Sequence, residues 1–472
     1  MAGVVALALA PASYANRAKV GPLAPVSGAS PFQGDCGVAG SPYRSAEVEP
    51  HLAVDPRKPR RLVAAWQQDR LPIIGGALSN VTASSTNGGR SWRQELVPGV
   101  SRCTGGDYEL ASDPWLALGP EGTVYLASLP GIAPAMIVNR STNGGRRWSE
   151  PIFADRRTDP VAFNDKEALT ADPFRAGAAY MVWTRLVPTP SGASFTNDLY
   201  FTRTVDGGRT WTTPAPIYEG TLSERPGNSE VVVTGRGRLM CVFSTLESTN
   251  GEVEEGAGVD FVAIRSRDGG RTWSSPSQIG ETRLIQLTDP EGGALIRAPA
   301  PIFSAEARPG PRGARAYVAW QDALSGSSRQ IMLSSSKNGR DWSEARLVSP
   351  ASARAFTPDL AVARNGTVGV RFYDLRNDRP GDAALTTDSW FRHSHDSGRS
   401  WREARLGQPF DLRTAPLISG GISSRGYMLG EYEGLVGMRR GFATAFARAQ
   451  PAALAGPTDI FFARIGLKRR GR

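Results

Sequence analysis

Cysteine, histidine and lysine are all scarce in this chain of 472 residues: three Cys, three His, and only five Lys among 55 cationic residues. With Cys and His so few, no spacing suits zinc, and His51, His393 and His395 leave little room for a His-based triad. Long apolar runs are missing too; none reaches the roughly 18 residues that a membrane-spanning helix needs. An excess of acid is absent: 45 Asp and Glu leave a net charge of +10, and four of the positive charges fall in Lys468–Arg472. The other cations are spread, with no basic stripe interleaved with aromatics, which argues against a nucleic-acid partner. Hydrophobic residues at 40% and charged residues at 21% exclude wholesale disorder. What is abundant is Gly and Pro, 88 residues together, or about 19% against an average near 12%. Many tight turns, hence many short strands, follow.

The N-terminal stretch Val4–Ala10 followed by Ser13-Tyr14-Ala15 reads as the tail of a secretory signal, an apolar region before a small-x-small site. Export to a secreted, cell-surface or periplasmic location is the expectation. Residues 1–29 are expected to be leader and disordered segment, 30–466 one domain, and 467–472 a basic tail. Cys241 lies inside the apolar run Leu239–Phe243 and reads as a buried strand residue, whereas Cys36 and Cys103 lie in polar loops. In an oxidising compartment those two are candidates for a disulfide.

Internal repetition sets the fold. The octet Ser-Thr-Asn-Gly-Gly-Arg-Ser-Trp ends at Trp92, with close copies ending at Trp148, Trp211, Trp273 and Trp401. A degenerate copy ends at Trp342, with Lys337 at the usual acid or amide position. Successive copies are 56, 63, 62, 69 and 59 residues apart, a period that suits one four-stranded sheet per repeat. Asp or Asn makes the turn through its own backbone, Gly supplies positive φ, and Trp packs between neighbouring sheets. Before each octet come two apolar strands joined by a short turn, for example His51–Val54 with Leu62–Gln67, and Leu360–Ala363 with Thr367–Tyr373. A seventh pair, Glu431–Val436 with Gly441–Ala447, follows the last octet, and Asp459–Ile465 reads as a third strand.

The octet is the Asp box of sialidase-like proteins, and the stretch from about Glu47 to Ile465 resembles that superfamily, in particular secreted bacterial proteins of the exo-alpha-sialidase type. The resemblance implies an all-β fold, a β-propeller with Asp boxes. Seven blades are preferred from the count of repeats, six, as in sialidases proper, being the alternative. A strand from residues 30–45 is the expected closure. A closed ring needs no partner for stability, so a monomer is expected.

In such a ring the first strand of each blade lines the axis, and its start meets the end of the second strand on the face opposite the boxes. First-strand starts bring Glu49, Asp113, Asp165, Lys166, Glu167, Glu230, Asp359 and Glu431 to one mouth. Second-strand ends add Asp69, Arg70, Arg185, Asp322, Tyr373 and Asp374, with Arg376 following. Crowded acids raise one another's pKa while Arg lowers others, the divergence that acid–base chemistry uses. The same funnel suits a hydroxyl-rich charged glycan, or Ca²⁺, although no cofactor is required. In sialidases an Arg triad clamps the sugar carboxylate, a Tyr–Glu pair makes the nucleophile, and an Asp is the acid/base. Here Arg70 matches one clamp residue, Val48 replaces another, and Leu71–Ser84 contains no acid. The expected catalytic groups are therefore Asp69, Asp113 or Glu49 as acid, and Tyr427 or Tyr432 with Glu431 as the pair. Glu49, Arg70, Lys166, Glu167, Glu230, Asp322, Asp359, Tyr373, Asp374 and Arg376 are the expected substrate-binding set. The leading expectation is a sialidase-like glycoside hydrolase. The alternatives are a non-catalytic glycan- or protein-binding module, and a polysaccharide lyase using Tyr373 with Arg376, or Lys166.

Overall fold

In a computed structural model the chain is described from Ala18 to Leu467, apart from residues 73–75, 132–134, 157–162, 190–194, 299–300, 309–313, 325–328, 420–425 and 452–455. The signal-like stretch and the basic tail lie outside the described residues. The fold is all-β with eight sheets, and its two helices are single 3-10 turns. Seven sheets are antiparallel and hold at least four strands each. Six of these take four consecutive strands, beginning with Glu47–Val54, Ser112–Leu118, Phe163–Ala171, Glu224–Gly235, Phe303–Arg308 and Ala355–Val362. The seventh begins with Gly434–Met438. Each of these seven first strands packs beside the next, and Gly434–Met438 packs beside Glu47–Val54, so the ring returns on itself. This is the arrangement of a β-propeller.

The closing strand is not within residues 30–45. Ala18–Val20 and Ala24–Pro25 pair antiparallel with Thr458–Leu467 and complete the last sheet, so part of the stretch 1–29, expected to be leader and disordered segment, is strand. Residues 30–45 instead form a loop whose polar groups fasten the first sheet. Ala18–Val20 is thus the outer strand of the last sheet, which ties the two ends of the described chain together.

The six octets share one hydrogen-bond pattern. In the first, Asn87 Oδ1 accepts from the N–H groups of Arg90 and Ser91 at 3.0 and 3.1 Å, while Ser85 Oγ accepts from Gly89 N–H at 2.9 Å. Asp206, Asp268 and Asp396 accept in the same way. In the degenerate octet the acceptor is Asn338, bonded by Arg340 and Asp341 N–H, and not Lys337. One Gly is deleted there, which shifts the turn residue by one. The Gly before the Arg of each octet faces the preceding sheet: a Cβ on Gly145 would sit 2.9 Å from Val63 Cγ2, and one on Gly89 would overlap the Phe462 ring. The first sheet thus rests on the last through its octet, as the others rest on their predecessors.

The eighth sheet is small and lies outside the ring order. Leu287–Thr288 and Leu295–Ile296, from the link between the fourth and fifth sheets, join Leu417–Ile418 and Gly426–Tyr427, from the link between the sixth and seventh. It covers one side of the mouth opposite the octets. Cys36 and Cys103 are joined by a disulfide with their Cα atoms 5.3 Å apart, and Cys241 is a buried free thiol.

Candidate functional site

The first strands do not run smoothly into the mouth. Register shifts fall between Val48 and His51, Ser112 and Trp115, Asp165 and Ala168, and Phe356 and Asp359. At each shift one non-glycine residue takes a left-handed backbone: Glu49 (φ 54°), Asp113 (φ 48°), Lys166 (φ 56°) and Thr357 (φ 48°). Three of these precede Pro, as Glu49-Pro50, Asp113-Pro114 and Thr357-Pro358. Pro has no N–H for the ladder, so a bulge is where a strand tolerates it. Left-handed conformations of such residues cost about 1–3 kcal/mol each, and they persist where the surroundings enforce them. The outcome is a set of charged side chains re-aimed from the ladder into the axis.

Glu49, Asp113, Asp165, Lys166, Glu167, Glu431 and Tyr432 come together here, with Arg70 from the first sheet and Arg297 from the link carrying the small sheet. Lys166 Nζ bonds Glu431 Oε2, and Arg297 reaches Glu431 Oε1 at 3.2 Å. The Glu431 N–H donates to Glu49 Oε1 at 3.2 Å, and the Gln67 amide donates to Glu49 Oε2. Gly430 makes the approach possible, because a Cβ there would stand 2.9 Å from the Glu49 backbone.

The two glutamates are driven apart electrostatically. Burial first, then the Asp113 and Glu431 carboxylates, push Glu49 up to about 8 against the pull of Lys166 and Arg70. Burial also opposes ionisation of Glu431, but Lys166 and Arg297 outweigh it and hold that carboxyl down at about 2. Burial raises Asp165 to about 6 and Glu167 well above the usual range. The surroundings thus disfavour charge on Glu49 and favour it on Glu431. The Tyr432 phenol is pushed up by burial and by the surrounding acids, Glu49 first. Its ring lies 5.2 Å from that of Trp115, which meets the His51 ring at 4.5 Å with a tilt of 35°. His51 is neutral, burial lowering it to about 3.

These aromatics form a floor. Above it a cavity of about 40 Å³ is lined by Lys166, Glu167, Glu431, Tyr432 and others, room for a few waters. Below it a chamber of about 310 Å³ runs along the axis, where Glu230, Glu306, Asp359 and Glu433 face mostly apolar first strands. Side-chain exposure is 24% for Lys166 and 18% for Arg297 against 6% for Glu431, so the two cations stand nearest the solvent.

Other residues expected at the mouth lie elsewhere. Asp69 accepts from Ser30 Oγ at 2.6 Å and Ser45 N–H at 2.7 Å and pairs with Arg44 at 2.6 Å, so it fastens the 30–45 loop. Its left-handed backbone (φ 60°) breaks the strand alternation, which is why Asp69 and Arg70 part company. Tyr427 sits on the small sheet, its phenol raised by burial and then by Asp289, away from Glu431. The Tyr373 hydroxyl bonds Glu433 Oε1 at 2.9 Å between the sixth and seventh sheets. Asp374 accepts from Arg376 Nε at 2.6 Å and Trp390 Nε1 at 2.9 Å, and Arg376 also grips Glu403. Tyr373 thus joins two sheets, and Asp374 and Arg376 tie strands within the sixth. Arg185 pairs with Asp155 and lies 3.8 Å over the Tyr200 ring. Asp322 sits with Thr282 and Arg329. Glu230 and Asp359 line the deeper chamber; Glu230 also borders the upper cavity and accepts from Ala305 N–H at 2.9 Å.

Sequence reasoning missed Arg297 and Gln67. Arg297 comes from a link whose path no repeat predicts. Gln67 adjoins Gln68 in sequence, but Gln68 turns to Glu47 at 2.7 Å. Val48 is buried with Ile418 and Met428 under the small sheet, so that position does not face the mouth. Among the described residues no group of three or more His, Cys, Asp or Glu is placed to hold a metal ion.

No protein-family model matches the chain, and no curated protein matches it in sequence. Solved structures similar to it include a PL25 polysaccharide lyase, an ulvan lyase bound to a GlcA–Rha3S saccharide. That structure is 12% identical over 89% of this chain and 94% of its own, with a TM-score of 0.50. Penicillium chrysogenum alpha-L-arabinanase complexed with arabinobiose is 17% identical over 75% of this chain and 94% of its own, with a TM-score of 0.48. The Hadza microbial sialidase Hz136 is 17% identical over 70% of this chain and 65% of its own, with a TM-score of 0.45. At these identities the likeness is one of fold. Among the described residues no helix is long and apolar enough to cross a membrane.

Proposed function

We propose that this chain is an exported, monomeric, seven-bladed Asp-box propeller that hydrolyses a glycosidic bond at the mouth of its axis. The observation that carries the reading is a pair of adjoining buried glutamates in unlike surroundings: Lys166 and Arg297 grip Glu431, while the Gln67 amide and the Glu431 N–H meet Glu49, so that Glu49 is raised to about 8 and Glu431 lowered to about 2. A glycosidase needs one carboxylic acid to protonate the leaving oxygen and one carboxylate on the other side of the bond. Glu49 takes the first role. Glu431 takes the second, directly or as the base of Tyr432. Lys166, Arg297 and Arg70 favour a substrate with a carboxylate or sulfate on the sugar. The cavity of about 40 Å³ is smaller than a sugar, so substrate entry requires it to open. The Cys36–Cys103 disulfide suits an oxidising compartment.

The test is turnover of methylumbelliferyl sialoside, uronide and neutral glycosides by purified protein beside Glu49→Gln and Glu431→Gln. Each variant is expected to lower kcat by at least about 100-fold, the scale of a lost general acid or base, with KM nearly unchanged. Full turnover in Glu49→Gln sinks the assignment. A second reading, binding without turnover, has one observation in its favour: both Glu431 carboxylate oxygens are already engaged by Lys166 and Arg297. Silence across the panel together with retention on a glycan array would support it. Ultraviolet-absorbing unsaturated uronate, lost in Lys166→Met, would move the chemistry to a lyase.

A further inference from the structure

On the octet face, opposite the mouth, a groove of about 360 Å³ opens between the third and fourth sheets, walled by Arg175, Arg203, Arg236 and Arg271. A second concavity of about 240 Å³ continues from it, sharing three of those arginines and adding Thr210, Trp211 and Thr212. Four guanidinium groups around one hollow repel one another unless something answers their charge. None of the four forms an ion pair with a described carboxylate. The two acids in the wall, Asp172 and Asp268, answer only half of the four positive charges, and their hydrogen bonds go to other donors. Asp172 accepts from the Tyr180 hydroxyl and Phe174 N–H, both at 2.8 Å. Asp268 is the turn residue of its octet, accepting from Thr272 Oγ1 at 2.6 Å and from two backbone N–H groups. Arg203 is half-buried and donates to the Gly269 carbonyl at 2.5 Å. Burial first, then the nearby Arg271 and Arg175, lower its pKa against the pull of Tyr180 and Asp268.

We infer that this groove is a second binding site, independent of the mouth, for an oxyanion group carried on a polysaccharide. Arg presents a planar fork to sulfate, phosphate or carboxylate oxygens. A flat anionic surface such as a membrane would meet exposed Arg175 and Arg236 but would not reach half-buried Arg203. A chain of sugars entering the groove reaches it, and the hydroxyl-bearing extension beyond Trp211 gives the next residue a place to lie.

The probes are dextran sulfate, neutral dextran, and vesicles of phosphatidylglycerol in phosphatidylcholine, at about 0.15 M ionic strength, where diffuse attraction is screened beyond about 8 Å. Arg175→Ser with Arg236→Ser is compared with Arg439→Ser with Arg440→Ser, an equal loss of charge on another exposed turn of the same face. Expected are binding of dextran sulfate but not of dextran, at least tenfold weaker in the first pair and within twofold of wild type in the second. Turnover at the mouth should be unchanged in both. No binding by the wild type, equal loss in the two pairs, equal binding of neutral dextran, or vesicle binding lost in the first pair without dextran sulfate binding would each overturn the inference.

Discussion

The contact of each octet with the preceding sheet sets up a sharp comparison between two neighbouring glycines. Gly144 and Gly145 both have left-handed backbones, φ 78° and 82°. A Cβ on Gly144 meets nothing within 4 Å, whereas one on Gly145 sits 2.9 and 3.0 Å from the two γ-carbons of Val63. Substituting Ala imposes the same backbone cost at both sites, about 1–2 kcal/mol. Only Gly145→Ala adds a clash, and Val63, 1% exposed on a central strand, has no space to retreat. Overpacking of that kind costs about 1–3 kcal/mol more. Urea unfolding followed by tryptophan fluorescence should therefore give a loss of about 1–2 kcal/mol for Gly144→Ala and about 2–5 for Gly145→Ala. Adding Val63→Ala to Gly145→Ala should return part of the loss, a coupling of about 1 kcal/mol or more. Equal losses at the two glycines, with no coupling to Val63, would refute the packing of octet on preceding sheet. Gly89→Ala carries the same reasoning to the ring closure, since its neighbour Phe462 belongs to the last sheet. Its loss should match or exceed that of Gly145→Ala.

Any turnover that uses Glu49 as the acid should fall as pH rises through about 8, and kcat–pH profiles of Glu49→Gln should lack that limb. Glu431 is depressed from 4.5 to about 2, so its contribution to stability is complete above its unfolded value and is lost as pH falls towards 2. Glu431→Gln leaves Lys166 and Arg297 without their shared partner and should cost about 3 kcal/mol near neutral pH, with a flatter acid limb in the unfolding midpoint. Thiol titration of the unfolded, unreduced protein should find one thiol, Cys241, and after reduction three. Replacing Cys36 and Cys103 together by Ser should destabilise the fold by about 2–5 kcal/mol, seen as a lower urea midpoint.

Much of this protein was legible in the residues themselves, because the signals were local. The octet makes its turn with its own Asn or Asp, Ser and Gly, so six such turns with apolar strand pairs before them can be found without knowing any long-range contact. The same holds for Cys241 within an apolar strand, and for the acids at first-strand starts, since strand order alone brings Glu49, Asp113, Lys166 and Glu431 to one end. What sequence alone did not determine is which way each side chain turns once there. The bulges at Glu49, Asp113 and Lys166 rotate charges into the axis, while the left-handed turn at Asp69 sends that carboxylate to the 30–45 loop. Tyr373, Asp374 and Arg376 look as polar as the mouth residues, yet a bond between sheets consumes the first and bonds within the sixth sheet the other two. Arg297 and the closing strand Ala18–Val20 depend on chain segments far apart in sequence. A link's path is chosen by the surface it can cover, and the strand that closes a ring by the edge left open. Those are properties of the assembled sheets, so only the tertiary structure decided them.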